Sequence, residues 1–158
     1  MKILVYSDSH NNMNSIEKLN NVLDGFDRVL FLGDGISDFE TLTSGFNGEK
    51  YAVLGNCDFS GDYPSERVIE FDGIKIFMCH GHRYGVKMNL NSIFYKGKEV
   101  GADIVLFGHS HTQIIEKSSG LYIMNPGSVS HSYGIGKTGY GVIEIDNERI
   151  KDIYLKNI

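Results

Sequence analysis

The feature that most constrains this chain is a local pattern that occurs five times: a short apolar run leads into carboxylate, amide or imidazole side chains. The apolar runs are 3–6, 29–32, 51–54, 74–79 and 104–107. The motifs that follow them are Asp8-Ser9-His10, Gly33-Asp34, Gly55-Asn56-Cys57-Asp58, His80-Gly81-His82 and Gly108-His109-Ser110-His111. If the runs are strands, the motifs gather at one edge of a sheet. In open α/β sheets, sites form at the edge outside the carboxyl ends of the strands.

The side chains in these motifs are oxygen and imidazole donors, which suit divalent cations of intermediate hardness. Asp8 and His10 are two residues apart, as are His109 and His111. In an extended chain such residues point to the same side, so Asp8 and His10 could both reach one ion. Two divalent ions about 3.5–4 Å apart form a centre that cleaves phosphoesters. The sequence therefore predicts a binuclear site of this kind.

The first half of the chain predicts alternating strands and helices. Strands are expected over 2–7, 28–32 and 50–54, where the residues are apolar and bounded by turns. A helix is expected to begin at a capping box, Asn14-Ser15-Ile16-Glu17, and to end at Gly25. A second, short helix is expected over 39–42. This β-α-β-α-β order predicts a parallel sheet with right-handed crossovers.

The second half is richer in hairpin signals. Asp72-Gly73 lies between two alternating runs and predicts a tight turn. The expected elements are strands 67–72 and 74–79, a helix 90–100, a strand 104–107, and short strands 113–117, 121–124, 139–145 and 149–155. Together with the first half, they indicate two packed sheets flanked by helices. A chain of 158 residues without repeats or linkers is expected to form a single domain over 1–158.

Charge and cysteine content limit the partners and the compartment. The net charge of −5 argues against a broad basic surface for nucleic acid. Two cysteines fit a reducing cytosol better than a disulfide framework. The apolar stretch that begins at Ile3 is too short for a signal peptide or a membrane span. We therefore expect a cytoplasmic protein that acts on a small molecule, without a nucleic-acid or membrane surface.

The order DxH, GD, GN, HGH, GHxH resembles that of the calcineurin-like metallophosphoesterase superfamily. The short chain, the variant Gly55-Asn56-Cys57-Asp58 and the turn Asn125-Pro126-Gly127-Ser128 make it similar to the small YfcE-type phosphodiesterases within that superfamily. The motifs extend from residue 8 to residue 128 and so cover most of the chain. The resemblance implies an α/β fold, a four-layer αββα sandwich of two mixed β-sheets flanked by helices.

The resemblance also implies a ligand set and a reaction. One ion would be held by Asp8, His10, Asp34 and His111, and the other by Asp34, Asn56, His80 and His109. Asp34 would bridge the ions, and a metal-bridging hydroxide would attack phosphorus. Mn²⁺ is the expected metal, with Ni²⁺, Mg²⁺, Fe²⁺ and Zn²⁺ as alternatives.

Cys57 stands where many members of the superfamily have a histidine that assists the leaving oxygen. We expect Cys57 to be catalytic at that position, although metal ligation and simple packing remain alternatives. A cysteine is a poorer proton donor than an imidazolium, since its reference pKa is near 8.5. Strong general-acid catalysis is therefore not expected.

Several residues near the motifs have open roles. His82 could contact an ion or the substrate, or support other ligands. Arg83 and Lys87 could bind phosphate, or simply be solvated. The remaining expectations are a pocket rim at Asn11, Asn12, Phe59 and Tyr63, a structural turn at 125–128, a loop position without catalytic role for His131, and no phosphate-binding arginine within 130–133.

Three functions are compatible with these observations. The first is a metal-dependent phosphodiesterase that acts on small phosphodiesters. The second is a nucleotide phosphomonoesterase or a dinucleotide-polyphosphate hydrolase. The third is a non-catalytic scaffold like the small subunit of retromer, in which the metal ligands are eroded; all seven expected ligands are present here. A homo-oligomer is possible with each of the three.

Overall fold

Ten strands and three helices make up the fold in the computed structural model, which describes residues 1–59, 61–131 and 136–158. The strands are β1 Lys2–Tyr6, β2 Arg28–Phe31, β3 Glu49–Ala52, β4 Glu66–Phe71, β5 Ile74–Cys79, β6 Ile104–Leu106, β7 Gln113–Ser118, β8 Leu121–Pro126, β9 Gly139–Asp146 and β10 Arg149–Asn157. The helices are α1 Met13–Leu23, α2 Ile36–Leu42 and α3 Asn91–Glu99, with a 3₁₀ turn at His82–Tyr84.

The strands form two mixed five-stranded sheets. The first has the order β10-β9-β1-β2-β3, in which β1, β2 and β3 are parallel. The second has the order β4-β5-β6-β8-β7, in which β5, β6 and β8 are parallel. The expected parallel sheet in the first half and the two-sheet architecture are therefore confirmed.

Strand β1 shows why the sheets stack between helices. Ile3 and Val5 pack into a core shared by both sheets, whereas Leu4 and Tyr6 pack into a core with α1 and α2. Alternate residues of a strand point to opposite faces, so a run that is apolar throughout has to be buried on both sides. A third core, which includes Ile93 of α3, covers the outer face of the second sheet. The result is the expected αββα sandwich.

The starts of helices α1 and α2 differ from the sequence prediction. Helix α1 begins at Met13 because Asn12, not Asn14, is its N-cap and accepts a hydrogen bond from the Ser15 amide (3.3 Å). The capping box expected at Asn14 is therefore wrong. Helix α2 begins at Ile36, three residues before the predicted start, and its apolar side chains join the core against the first sheet.

The last hairpin has a position that the motif pattern did not predict. Strand β9 returns to the first sheet and pairs antiparallel with β1, with Leu4 opposite Val142. β10 then forms the outer edge of that sheet. Within the described ranges, no helix is both long and apolar enough to cross a membrane.

Candidate metal centre

The five motifs meet where loops from both sheets converge. The loops after β1, β2 and β3 come from the first sheet, and those after β5 and β6 from the second. Backbone hydrogen bonds fix the loops to each other: the Asp8 amide donates to Gly33 O and the Gly108 amide to His80 O, both at 3.0 Å. The His80 Nδ1 atom lies 2.8 Å from the carbonyl oxygen of Leu32 and so joins the two sheets.

The carboxylates of Asp8 and Asp34 lie at the centre of this convergence. His111 Nε2 is 3.2 Å from Asp8 Oδ1, and His80 Nε2 is 3.3 Å from Asp34 Oδ2. His10 Nε2 lies between the carboxylates, 3.9 Å from Asp8 Oδ1 and 4.0 Å from Asp34 Oδ2. Both aspartates are fully or almost fully buried.

The potential ligand atoms fall into three overlapping groups. Within each group, one atom from every residue lies within 4.8 Å of the others. The groups are Asp8, His10 and His111; Asp34, His80 and His109; and His10, Asp34 and Cys57. The first two correspond to the two ligand sets implied by the resemblance, apart from the bridging role of Asp34 and the role of Asn56.

Unsatisfied polar atoms show that the site fits cations. In the described part of the chain, Asp8 Oδ1 lies near His111 and His80 Nε2 lies near Asp34, but neither atom completes a hydrogen bond, although both residues have no exposed surface. A buried polar group without a partner is costly, and a buried charge is more costly. Binding to divalent cations would satisfy both atoms, because carboxylate oxygen and imidazole nitrogen are ligands that such ions take in proteins.

The electrostatics of the site keep the Asp34 carboxylate charged and the His109 imidazole neutral. Burial alone would raise the pKa of Asp34, but the nearby His80 ring and the Cys57 amide lower it below its ordinary value. Burial and the charges of His80 and Lys87 lower the pKa of His109 to about 4. His109 is therefore a neutral imidazole near pH 7, the form that binds metals.

Five of the expected ligands have an unusual backbone. Their φ angles lie between 48° and 64°, in the left-handed region: Asp8, His10, Asp34, His109 and His111. The argument that i and i+2 side chains of an extended strand share an ion is therefore wrong in its geometry. The chain instead turns sharply at each ligand. Such strain in residues other than glycine is typical of functional sites.

Asp58 has an organising role that the sequence analysis did not assign. Its carboxylate accepts hydrogen bonds from the amides of Asp34 (2.8 Å), Gly35 (2.9 Å), Ile36 (2.9 Å) and Gly55 (2.8 Å). It thereby joins the loop after β2 to the loop after β3 and fixes the backbone of Asp34. The available signal was an aspartate in a glycine-rich turn, where its side chain commonly accepts backbone N–H groups.

Cys57 and Asn56 are both exposed at the edge of the site. The Cys57 amide donates to Asp34 Oδ1 (2.7 Å), and the Asn56 Nδ2 group lies 3.3 Å from Cys57 Sγ as a donor. Exposure excludes the simple packing role for Cys57. Partial burial and the carboxylate of Asp34 raise the pKa of its thiol, so the sulfur is protonated near pH 7. The metal-ligand role of Asn56 stays a prediction.

The turn at 125–128 supports two ligand loops. Asn125 Nδ2 donates to Gly108 O (2.9 Å) and Ser110 Oγ (2.8 Å). The hydroxyls of Ser128 and Ser130 donate to Asp8 O at 2.7 and 2.9 Å. These contacts give the turn the structural role expected for it. The expectation for 130–133 falls partly on 132 and 133, which lie outside the described residues.

The remaining candidates separate into residues near the site and residues with other contacts. The His82 ring centroid lies 5.4 Å from that of His80, and the ring of exposed His131 lies 6.4 Å from that of His10. A recess of about 200 Å³ beside Cys57 is lined by Asn11 and Phe59, as expected for a pocket rim.

Three further residues are engaged elsewhere. Arg83 donates to Ser65 Oγ (3.0 Å), Asn12 caps α1, and the Tyr63 ring packs edge-on against Phe39. Asn12 and Tyr63 are not among the residues that line the recess beside Cys57, and their place at the pocket rim stays a prediction.

The fold and this convergence of donors are those of a metallophosphoesterase domain, and comparison with known families agrees. Residues 1–148 match the calcineurin-like phosphoesterase superfamily domain. The chain belongs to this superfamily, and its relatives in sequence are named metallophosphoesterase and phosphodiesterase, which are hydrolases.

Similar proteins place the chain among small members of the superfamily. It is 33% identical over 150 residues to "Probable metallophosphoesterase YsnB" of Bacillus subtilis, a match that covers 94% of this chain and 86% of that protein. It is 26% identical to phosphodiesterase YfcE of Escherichia coli, with 92% and 89% covered. The structure of Entamoeba histolytica Vps29 complexed with Zn²⁺ has the same fold: the TM-score is 0.77, the identity 23%, and the coverage 93% and 87%.

Proposed function

We propose that this protein is a metal-dependent phosphodiesterase that hydrolyses small phosphodiesters at a binuclear centre. The observation that carries the proposal is the position of Asp34. Its carboxylate belongs to one potential ligand group with His80 and His109 and to another with His10 and Cys57. A single buried carboxylate that faces imidazoles from both sheets is suited to bridge two cations.

The chain's own residues would hold two divalent ions, Mn²⁺ in our proposal. Asp8, His10, Asp34 and His111 would bind one ion, and Asp34, Asn56, His80 and His109 the other. When bound, such ions lower the pKa of a bound water to near neutrality and stabilise the charge that develops during in-line phosphoryl transfer. Asp58 and the turn at 125–128 keep the ligands in place.

In the proposed reaction, the oxygen of a water molecule forms a bond to phosphorus and the phosphorus–oxygen bond to the leaving group breaks. The products are a phosphomonoester and an alcohol. The Cys57 thiol, exposed beside Asp34, would donate a hydrogen bond to the leaving oxygen. We also propose that the protein works in the cytoplasm.

The test is hydrolysis of bis(p-nitrophenyl) phosphate compared with p-nitrophenyl phosphate, first by metal-stripped protein and then after Mn²⁺ is restored. We expect diester hydrolysis only with metal. Asp34→Ala should lose both activity and bound metal. Asp72→Ala is a matched control because Asp72 is also an aspartate with positive φ but lies in the exposed β4–β5 turn. Full activity of Asp34→Ala would contradict the bridging assignment.

A scaffold function is the alternative that the likeness to Vps29 brings into consideration. A scaffold is expected to have lost metal-ligand residues, whereas a phosphodiesterase keeps them. In this chain the expected histidines and aspartates are present and converge. Hydrolysis of the monoester alone would favour the phosphomonoesterase alternative. Silence on both esters, with metal bound, would favour the scaffold.

A further inference from the structure

A cleft of about 380 Å³ lies beside the candidate metal centre and has no role in the account given so far. We call it the side cleft. Val86, Leu90, Phe107 and Ile114 form its apolar lining, and Lys87 and Ser110 add polar groups. Its volume falls within the range of small-molecule sites, which are mostly apolar with a few polar groups.

The side cleft and the candidate metal centre share the loop that follows β6. Ser110 lies between the expected ligands His109 and His111, and Phe107 leads into the same loop. Val86 packs beneath the turn that carries His80: a Cβ added to Gly81 would lie only 3.0 Å from a Val86 methyl group. A group that fills the cleft would therefore lie next to the loops that carry His80, His109 and His111.

The polar groups of the cleft match an organic phosphate. Lys87 is exposed and lines the same cleft as Ser110, which lies between the expected ligands His109 and His111. There it would attract the charged oxygens of the phosphoryl group. Ser110 Oγ accepts a hydrogen bond from Asn125, so its own hydrogen can be donated to an acceptor on the occupant.

The site has a second recess on its other side, about 200 Å³ in volume and lined by His10, Cys57 and Phe59. A phosphodiester has two ester groups, one that leaves and one that stays on phosphorus. Cys57 belongs to this recess, and we have proposed that its thiol faces the leaving oxygen. The side cleft is then free for the group that stays.

We propose that the side cleft binds the retained ester group of the substrate and selects an apolar, ring-sized group at that position. This inference rests on the proposed phosphodiesterase function and names the substrate class for it. The substrate would be a diester whose retained side carries an aryl or heteroaryl ring close to phosphorus. Small alkyl groups would leave the apolar lining uncovered.

The test compares two diesters with the same leaving group, methyl p-nitrophenyl phosphate and phenyl p-nitrophenyl phosphate. Each kcat/KM is divided by the rate constant for hydroxide-catalysed hydrolysis of the same ester, which removes the difference in intrinsic reactivity. For the Mn²⁺-loaded wild-type protein we expect the corrected ratio to favour the phenyl ester by about 10-fold or more, since apolar contacts in a pocket discriminate at this level.

Two variants of Ile114 test the location. Ile114→Trp should fill the cleft and reduce the phenyl preference to about 3-fold or less, because kcat/KM should fall more for the phenyl ester than for the methyl ester. Ile114→Ala should reduce the preference by removing contacts, and it serves if the larger residue disturbs folding. The control is Lys117→Trp, which places the same ring at an exposed position of the same strand, where the ammonium group of Lys117 lies 2.9 Å from Tyr122 OH.

The outcomes separate this inference from the function on which it rests. Diester hydrolysis with equal corrected rates for the two esters would overturn the side-cleft assignment and leave the phosphodiesterase function intact. An equal loss of both esters in the metal-loaded Ile114 variants would also overturn it. No hydrolysis of either diester by metal-loaded wild-type protein would overturn the proposed function and the side-cleft assignment together.

Discussion

The left-handed backbone at the ligands allows a direct test of strain at the candidate centre. His10 has a φ of 48°, and its side chain is 28% exposed. We compare His10→Gly with His10→Ala in metal-stripped protein. Both variants remove the same imidazole, so lost contacts cancel to first order, and the difference reports the cost of a Cβ in the left-handed region.

The magnitude follows from two opposing terms. A left-handed conformation costs a residue with a Cβ roughly 1–2 kcal/mol, whereas glycine adopts it freely. Glycine lowers the free energy of unfolding by about 0.4–1 kcal/mol relative to alanine, because it gives the unfolded state more conformational freedom. We therefore expect His10→Gly to be more stable than His10→Ala by about 1 kcal/mol, which corresponds to roughly 2–4 °C in Tm for a chain of this size.

The assay is urea unfolding of both variants, followed by circular dichroism, with chelator present. Lys18 supplies the control pair because it is exposed within α1. There the order should reverse, with Lys18→Gly less stable than Lys18→Ala by about 1 kcal/mol, the ordinary helix penalty of glycine. If His10→Gly proved no more stable than His10→Ala while the Lys18 pair behaved normally, the strain argument would be refuted.

Two further predictions concern the neighbours of Asp34. Asp58→Asn replaces one of two acceptor oxygens by an NH₂ group while four backbone amides still need acceptors. We expect metal affinity to fall about 10- to 100-fold, as for other residues that orient ligands. A metal titration with the exposed Asp62→Asn variant as control measures the change, and unchanged affinity would exclude the organising role. Cys57→His introduces a better proton donor beside Asp34. Because alkyl esters have poor leaving groups, the variant should accelerate their cleavage more than that of p-nitrophenyl esters. Equal effects on both ester types would count against a role for residue 57 at the leaving oxygen.

The sheet architecture was accessible from sequence because burial on both faces leaves a strong signal. Runs such as that of β1 are apolar without alternation, and each ends at a polar motif. The partner of β1 was not accessible in the same way. Pairing with β9 joins residues about 140 positions apart, with Lys2 opposite Glu144, and no local pattern specifies such a contact.

Within the candidate site, residue types were easier to predict than geometry. The aspartates and histidines of the motifs do converge, but through left-handed turns rather than extended strand ends. That conformation depends on contacts from other loops, such as the hydrogen bonds of Ser128 and Ser130 to Asp8 O. The role of Asp58 likewise depends on contacts between loops, because its four donors come from the loops after β2 and β3.

The position of β1 between β9 and β2 also has a consequence for the order of events during synthesis. β1 is synthesised before β2 to β8, whereas β9, one of its two neighbours, is synthesised after all of them. Contacts between such distant segments form slowly because a long loop has to close first. The serines that hold the Asp8 loop also come late in the chain. The nascent chain therefore carries Asp8 and His10 long before β9 and these serines are present to hold them in place, so the candidate metal centre is assembled only after β9 has been made.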